Sequence, residues 1–216
     1  MNNPAQKINT TAYKAILFDL DDTLYPQNSH LMDHLLLRIH RFMEDELHIS
    51  SEEIPELRQR LFQTYGTTLR GLQSEYQVDM DTYLNYLNDV PLEEYLSQDL
   101  VLGELLASIT LPKYVLTNSD RNHAQKVLEL LDVTDHFLRI VDIYDMAPYC
   151  KPQSEAFQIA LDLISESPEN CLFIDDSPPN LTMAQQLGMT TISVGHNPHD
   201  GSPHIQNILD LGDLLR

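Results

Sequence analysis

Three carboxylates directly follow an apolar run near the start of the sequence. The run Ala15–Phe18 leads into Asp19, Asp21 and Asp22, and Thr23 comes next. Burying so much negative charge at the end of a strand is costly unless something positive compensates it. Carboxylate oxygens are the ligands that Mg²⁺ prefers in proteins. The stretch therefore indicates a site for a hard cation.

Polar residues also follow three later apolar runs. The first of these ends in Thr117 and Asn118, Lys151 follows the next, and the last ends in Asp175 and Asp176. In a doubly wound sheet the carboxyl ends of the strands form the ligand crevice, so these groups should meet there. A lysine beside a cation suits a phosphate group, whose oxygens bridge the two positive charges. The predicted ligand is an anion.

The order of these residues resembles the four signature motifs of the haloacid dehalogenase superfamily. Each short pattern is weak alone, but their succession at strand ends over nearly the whole chain argues against coincidence. The motifs read Asp19-x-Asp21-x-Thr23, then Thr117, then Lys151, then Asp175-Asp176. The resemblance implies an α/β fold with a Rossmann-like doubly wound parallel sheet.

The resemblance also implies a role for each motif residue. Asp19 would attack phosphorus as the nucleophile and form an aspartyl-phosphate, which divides hydrolysis into two easier steps. Asp21 would act first as the general acid and then as the general base, kept protonated for the first step by a neighbouring carboxylate. The main-chain carbonyl of Asp21 is expected to bind Mg²⁺. Dehalogenases generally lack this second carboxylate, so Asp21 favours a phosphatase.

The later motifs would bind the phosphoryl group and the metal. Thr117 is expected to hydrogen-bond the transferring phosphoryl group, and Lys151 to offset the charge of the nucleophile. Asp175 and Asp176 would complete the Mg²⁺ shell with Asp19, and the sequence leaves open which of the pair binds the ion directly.

Four longer stretches resemble the pyrimidine 5′-nucleotidase branch of the superfamily. They are residues 19–26, 65–72, 117–124 and 149–152. The resemblance implies a nucleoside 5′-monophosphate such as UMP or CMP as substrate. Alternatives with the same fold are a sugar phosphate, phosphoglycolate or a flavin-pathway intermediate. A catalytically idle phosphate-binding scaffold is the alternative of another class, and the complete set of motif residues argues against it.

Six residues are predicted to contact the substrate. For those between helices of the insertion, the alternative is a glycine-containing connection with exposed polar side chains. Arg121 and the nearby His123 could instead belong to the first turn of a helix. The six are Tyr65, Thr67, Thr68, Arg70, Asn118 and Arg121.

The elements that would position these residues follow from apolar periodicity. Helical spacing separates the later strands, and this alternation predicts a parallel sheet covered by helices. The five candidate strands are Lys14–Phe18, Lys113–Thr117, Leu138–Ile143, Cys171–Ile174 and Thr190–Val194, and the helical stretches are 124–131, 157–164 and 181–187.

Residues 26–98 interrupt this alternation with helical patterns alone. An insertion directly after the first motif resembles the type-one cap of the superfamily, a lid that closes over the crevice and reads the leaving group. The predicted division is a catalytic core of residues 1–25 and 99–216 and a helical cap of residues 26–98. Near the end of the cap the chain reads Asn88-Asp89-Val90-Pro91, where many relatives carry a histidine.

The composition limits which classes of binding partner and which cellular compartment are expected for this protein. The formal net charge is −20 and basic residues are scattered, which argues against nucleic acid or an anionic membrane as partner. Two cysteines without a C-x-x-C pattern suit reduced thiols, and Met1–Thr11 lacks an apolar signal region. We expect a cytoplasmic monomer or homodimer. The histidines of the loop 196–204 are read as part of a polar turn rather than as metal ligands.

Overall fold

A six-stranded parallel sheet forms the centre of the computed structural model, which describes residues 7–215. The strand order is β3-β2-β1-β4-β5-β6, and every neighbouring pair is parallel. This arrangement confirms the predicted α/β fold. The strands are β1 (Ala15–Phe18), β2 (Lys113–Leu116), β3 (Arg139–Val141), β4 (Cys171–Asp175), β5 (Thr190–Val194) and β6 (His204–Ile205).

Four α-helices occupy the chain between β1 and residue 99. They pack on one another around a separate apolar cluster that includes Phe42, Leu61 and Leu72. Two residues outside the insertion, Ile143 and Cys150, belong to the same cluster. The inserted helices are therefore packed against the loop that follows β3. They are α1 (Leu31–Asp45), α2 (Ile54–Tyr65), α3 (Thr68–Tyr76) and α4 (Met80–Leu87).

The remaining helices cover the two faces of the sheet. Successive residues of a strand point to opposite faces, so Ile16 and Phe18 join one core cluster and Leu17 joins the other. Val127 packs in the first cluster and Phe157 in the second, which places their helices on opposite faces. These helices are α5 (Leu100–Ser108), α6 (Arg121–Leu131), α7 (Ser154–Ile164), α8 (Pro178–Gln186) and the short α9 (Leu211–Leu214).

Three of the α-helices, α3, α5 and α9, and the strand β6 were not predicted from the sequence, and α3 begins where a loop had been expected. Helix α5 precedes β2, and β6 pairs with β5 at the end of the histidine-containing loop. A two-residue strand is too short to show any periodicity. The N-terminal stretch was expected to lack a signal region, and its residues 1–6 lie outside the described part of the chain. Within residues 7–215, no helix is both long enough and apolar enough to cross a membrane.

Candidate active site

Asp19 directly follows the carboxyl end of β1, which lies between β2 and β4 in the sheet. Its amide donates to the carbonyl of Ile174 at 2.8 Å, which continues the pairing of β1 with β4 by one residue. The chain then turns away from the sheet through Asp22, whose φ of 58° is left-handed. The side chain of Asp19 is buried, and Thr23 donates to its Oδ2 at 3.3 Å.

Lys151 connects the ends of β1 and β4 through its ammonium group. Its Nζ lies 2.7 Å from Asp19 Oδ1 and 2.8 Å from Asp175 Oδ2, and the residue is 1% exposed. Burial by itself would lower the pKa of Lys151, but attraction to Asp175 and Asp19 outweighs it and raises the pKa. The lysine is therefore a charged group at neutral pH.

Asp175 is fully buried and accepts hydrogen bonds on both carboxylate oxygens. The amide of Ser177 donates to Oδ1 at 2.8 Å, and Asn180 Nδ2 lies 3.1 and 3.0 Å from the two oxygens. Asn180 was not predicted from the sequence. Its place in the first turns of α8, five residues after Asp175, is the signal that could have found it.

Asp19, Asp175 and Asp176 form the carboxylate cluster that could hold a metal ion. One ligand oxygen from each lies within 4.8 Å of the others. Burial, followed by repulsion from Asp175, raises the pKa of Asp176 to about 6. Burial also raises the pKa of Asp19, despite the attraction of Lys151. Three carboxylates thus share one ammonium group, and a divalent cation fits the excess negative charge.

The metal-free protein is expected to lose stability between about pH 4 and about pH 7, from the unfolded pKa of a carboxyl group to its raised pKa in the folded protein. Burial, then repulsion by Asp176 and Asp21, raises the pKa of Asp22 to about 7, and that of Asp176 is about 6. A carboxyl group whose pKa is raised by folding stabilises the folded state while it is protonated. That contribution is complete below the unfolded pKa and is lost as pH rises through 6 to 7.

Thermal unfolding in EDTA and in Mg²⁺ across this range is the measurement. Bound Mg²⁺ favours the ionised carboxylates, so the stabilisation by Mg²⁺ should grow as pH rises. His123, whose pKa is raised from 6.5, contributes stability that is complete below pH 6.5 and is lost as pH rises further, in both conditions. A stabilisation by Mg²⁺ that does not depend on pH would contradict the carboxylate cluster as the metal site.

Asp21, two residues after Asp19, forms hydrogen bonds with a different set of side chains. Its Oδ1 accepts from the Tyr25 hydroxyl at 2.7 Å and lies 2.7 Å from His123 Nε2, while the Ser119 hydroxyl donates to Oδ2 at 2.6 Å. The residues that hold this carboxylate thus come from the turn after β1, the loop after β2 and the helix α6.

These contacts correct the expectation that a neighbouring carboxylate keeps Asp21 protonated. Burial alone would raise the pKa of Asp21, but attraction to His123 and hydrogen bonds from His123, Ser119 and Tyr25 lower it to about 2. Burial alone would lower the pKa of His123, but attraction and hydrogen bonding to Asp21, together with attraction to Asp120, raise it. Attraction and hydrogen bonding within the pair thus favour an ionised Asp21 and a protonated His123.

Thr117 and Asn118 follow β2 at the same edge. Thr117 is 1% exposed, and its hydroxyl accepts from the amide of Ser119 at 3.0 Å. The Asn118 side chain makes two bonds to the main chain of Lys151, accepting from its amide at 2.9 Å and donating to its carbonyl at 3.0 Å. Asn118, predicted as a substrate contact, thus fixes the backbone of Lys151 in this structure.

The predicted substrate residues of the insertion lie against the loop that carries Lys151. Arg70 is buried and donates to the carbonyls of Ile143 and Tyr149 at 2.9 Å each. The carbonyl of Tyr65 accepts from the Cys150 thiol at 3.3 Å. These contacts join the connection between α2 and α3 to the core.

A close approach of two backbones explains the glycine in this connection. A Cβ on Gly66 would lie 3.1 Å from the carbonyl oxygen of Lys151, and the φ of Gly66 is +87°. Thr67 caps the N-terminus of α3 by accepting from the amide of Arg70, and Thr68 is buried in the first turn of that helix.

Arg121 is engaged at the end of β3. Its guanidinium lies 2.6 Å from Asp145 Oδ2, 3.5 Å from Asp142 Oδ2 and 3.1 Å from the carbonyl of Ile140. The structure brings the seven motif aspartate, threonine and lysine residues to one edge of the sheet. Arg121, two residues before His123, instead pairs with Asp142 and Asp145.

Sequence reasoning did not identify the partners of Asp21, and it considered His123 only as a possible substrate contact or as part of the first turn of a helix. Ser119 and His123 stand within the stretch 117–124 that carries the family resemblance, so their presence there was a usable signal. A further contact links the insertion to the same region, because Asn88 donates to Asp120 at 2.9 Å. Asp120 caps the N-terminus of α6, the helix of His123.

Comparison with known proteins gives a family match over most of the chain. The model of the haloacid dehalogenase-like hydrolases matches residues 13–188. Phosphate metabolism protein 8 of Saccharomyces cerevisiae is 31% identical over 193 residues, covering 82% of this chain and 60% of that protein. The chain thus spans less than two thirds of the length of this yeast relative.

A second relative and a solved structure agree with this match. The putative pyrophosphatase PpaX of Caldanaerobacter subterraneus subsp. tengcongensis is 24% identical over 183 residues, covering 83% of this chain and 80% of that protein. L-2-haloacid dehalogenase from Xanthobacter autotrophicus superimposes with a TM-score of 0.62 at 14% identity, covering 94% of this chain and 98% of that chain. At that identity the likeness concerns the fold alone.

Proposed function

The chain belongs to the haloacid dehalogenase-like hydrolases, and we propose that within this family it is a Mg²⁺-dependent phosphatase of small phosphomonoesters. The observation that carries the proposal is the buried lysine between two aspartates. Lys151 holds Asp19 and Asp175 within 2.8 Å of one ammonium group, beside a third carboxylate. Such a site can bind a cation and a phosphoryl group together.

In the first step, a carboxylate oxygen of Asp19 attacks the phosphorus of the ester. The new O–P bond gives an aspartyl-phosphate, and the bond from phosphorus to the leaving oxygen breaks. Lys151 and Thr117 bind the phosphoryl oxygens. Asp21 takes up a proton from solvent before this step and gives it to the leaving alkoxide.

In the second step, Asp21 accepts a proton from water as the water attacks the aspartyl-phosphate. The acyl-phosphate O–P bond breaks, inorganic phosphate leaves, and the Asp19 carboxylate is restored. One carboxyl group thus serves as acid and then as base, because the first step leaves it ionised for the second.

Asp19, Asp176 and the main-chain carbonyl of Asp21 are the groups that we assign to Mg²⁺. The carboxylate of Asp21 is held by other donors, and both oxygens of Asp175 accept hydrogen bonds from the protein. Asp175 therefore contributes charge and orients Lys151, and Asp176 is the direct ligand of the pair. Bound Mg²⁺ would neutralise charge on the transferring phosphoryl group.

The proposed substrate is a nucleoside 5′-monophosphate. Support comes from the four stretches that resemble the pyrimidine 5′-nucleotidase branch. Residues 26–98 are proposed as the cap that reads the leaving group, since their helices pack against the loop preceding Lys151. Sugar phosphates and other small metabolite esters remain the alternatives, and the name of the PpaX relative adds pyrophosphate to the compounds worth testing.

Phosphate release from a panel of compounds tests this function. The panel contains UMP, CMP, sugar phosphates, phosphoglycolate, a flavin mononucleotide and pyrophosphate, each with Mg²⁺ and with excess EDTA. We expect turnover that requires Mg²⁺ and is fastest with the pyrimidine nucleotides, because charge neutralisation at the phosphoryl group depends on the cation.

The outcomes separate the mechanism from the substrate. Faster turnover of another monoester would support the phosphatase mechanism and would change the assigned substrate. If pyrophosphate alone were hydrolysed, the protein would be a hydrolase of phosphoanhydrides rather than of phosphomonoesters. Full activity in EDTA would contradict the metal site, and release of halide from a 2-haloacid without phosphatase activity would contradict the proposal altogether.

A further inference from the structure

Three donors hold the carboxylate of Asp21 in one orientation. Tyr25 and Ser119 lie in loops after strands, and His123 projects from the first turn of α6. The imidazole is 5% exposed and its Nε2 lies 2.7 Å from Asp21 Oδ1. A buried polar group in this position costs free energy unless it is hydrogen-bonded, so the pair is fixed as a unit.

We propose that His123 is a positioning residue for the acid–base carboxylate of Asp21. The inference rests on the proposed phosphatase activity and extends it to a residue outside the four signature motifs. Rotation of the Asp21 side chain would move its oxygens away from the leaving group. The Nε2 donor prevents that rotation, and misplacement of a reacting group by about 1 Å costs about 100-fold in rate.

The position of His123 is itself fixed by the beginning of its helix. Asp120 caps α6 by accepting from the amides of Asn122 and His123, at 2.8 and 3.1 Å. Asn88, at the end of α4, donates to the other oxygen of Asp120 at 2.9 Å. A chain of hydrogen bonds thus runs from the inserted helices through Asp120 to the backbone of the residue that orients the acid.

A buried histidine with only a packing role would behave differently. Its removal would lower stability and would slow every substrate to the same extent. Loss of a positioned acid instead slows only those esters whose leaving group needs a proton. Nitrophenolate leaves without one, whereas a sugar alkoxide does not.

The comparison of two substrates by kcat/KM isolates this step. For an aspartyl-phosphate mechanism, kcat/KM extends only to the departure of the alcohol, so the later use of Asp21 as a base does not enter. The substrates are p-nitrophenyl phosphate and UMP, or the alkyl monoester that the wild-type protein turns over fastest. The variants are His123→Leu, which removes the donor, and His123→Gln, whose amide supplies one at a similar reach.

His123→Leu should lower kcat/KM for the alkyl ester by about 10- to 100-fold and that for p-nitrophenyl phosphate by less than about 3-fold. His123→Gln should recover most of the loss. Val127→Ala, a buried change one turn further along the same helix, controls for weakened packing and should leave the ratio of the two substrates unchanged.

Equal losses for both esters, or a glutamine variant as impaired as the leucine variant, would overturn the positioning role while leaving the phosphatase in place. Absence of turnover by the wild-type protein would overturn the proposed function and the inference with it. Crystal structures provide a readout without activity: the Asp21 carboxylate should keep its orientation in the glutamine variant and lose it in the leucine variant.

Discussion

Replacing Asp19 with asparagine is expected to abolish phosphate release, with a loss of more than about 10³-fold in kcat. The amide cannot form the acyl-phosphate, whereas its size and its oxygen are retained, so Lys151 keeps a partner at the position now 2.7 Å away. The fold should therefore persist, and thermal unfolding should confirm that it does. This substitution removes the nucleophile and little else.

The covalent intermediate gives a second, direct measurement. Acid quenching of the wild-type protein during turnover, followed by mass spectrometry, should find a phosphoryl group on the peptide that contains Asp19. The matched control is Asp162→Asn on α7, whose carboxylate accepts from Gln158 at the surface, and its activity should be unchanged. Unaltered turnover by Asp19→Asn would contradict the proposed mechanism. A wild-type protein without turnover would instead support the catalytically idle scaffold.

The edge of the sheet where the site lies could be predicted because charge and periodicity agree there. Apolar runs ending in polar residues fix both the strands and the direction of the crevice. Asp19, Lys151 and Asp175 were therefore expected at one point, and the structure brings them within hydrogen-bond distance. Their approach follows from the strand order, in which β1 lies between β2 and β4.

The protonation of Asp21 could not be predicted because it depends on where one side chain points. Spacing places Asp21 near Asp19, which suggests mutual repulsion and a raised pKa. The turn after β1 instead directs the carboxylate to Tyr25, Ser119 and His123, and its pKa is lowered to about 2. These donors are 4, 98 and 102 residues away along the chain, and no periodicity connects the distant two.

The contacts of the predicted substrate residues in the insertion could not be predicted from the sequence either. A motif rich in Thr and Arg beside a glycine suggests a loop facing a ligand. In the structure, Arg70 satisfies two carbonyls of the loop before Lys151. An arginine supplies several donors in a fixed geometry, and main-chain carbonyls can accept from them as phosphates can. Sequence identifies the donor but not the acceptor.

Replacing Lys151 with methionine is expected to reduce both stability and turnover. The ammonium is the shared partner of Asp19 and Asp175, and removing one member of a buried ion pair leaves an uncompensated charge at a cost of about 3–5 kcal/mol. For a chain of this size each kcal/mol lowers Tm by about 2–4 °C. Turnover should fall at least about 100-fold, since the phosphoryl group loses its cationic partner.

A second buried lysine provides the matched control. Lys113 is 7% exposed at the beginning of β2, and its ammonium donates to the main-chain carbonyls of Ile109 and Leu111 rather than to carboxylates. Lys113→Met removes the same volume and charge but leaves no anion behind, so we expect a loss of only about 1–3 kcal/mol. Turnover should be unchanged, because β2 begins at the edge of the sheet opposite the site.

The effect of Mg²⁺ on thermal unfolding separates the loss of the Lys151 charge from the loss of its packing. In Lys151→Met the unfolding temperature should recover part of its loss on addition of Mg²⁺, because the cation compensates the carboxylates that the lysine no longer reaches. In Lys113→Met the effect of Mg²⁺ should equal that in the wild-type protein. Thermal unfolding of the three proteins with EDTA and with Mg²⁺ measures both effects. Equal destabilisation of the two variants, with the same response to Mg²⁺, would show that the shared ion pair does not balance the charge of the site.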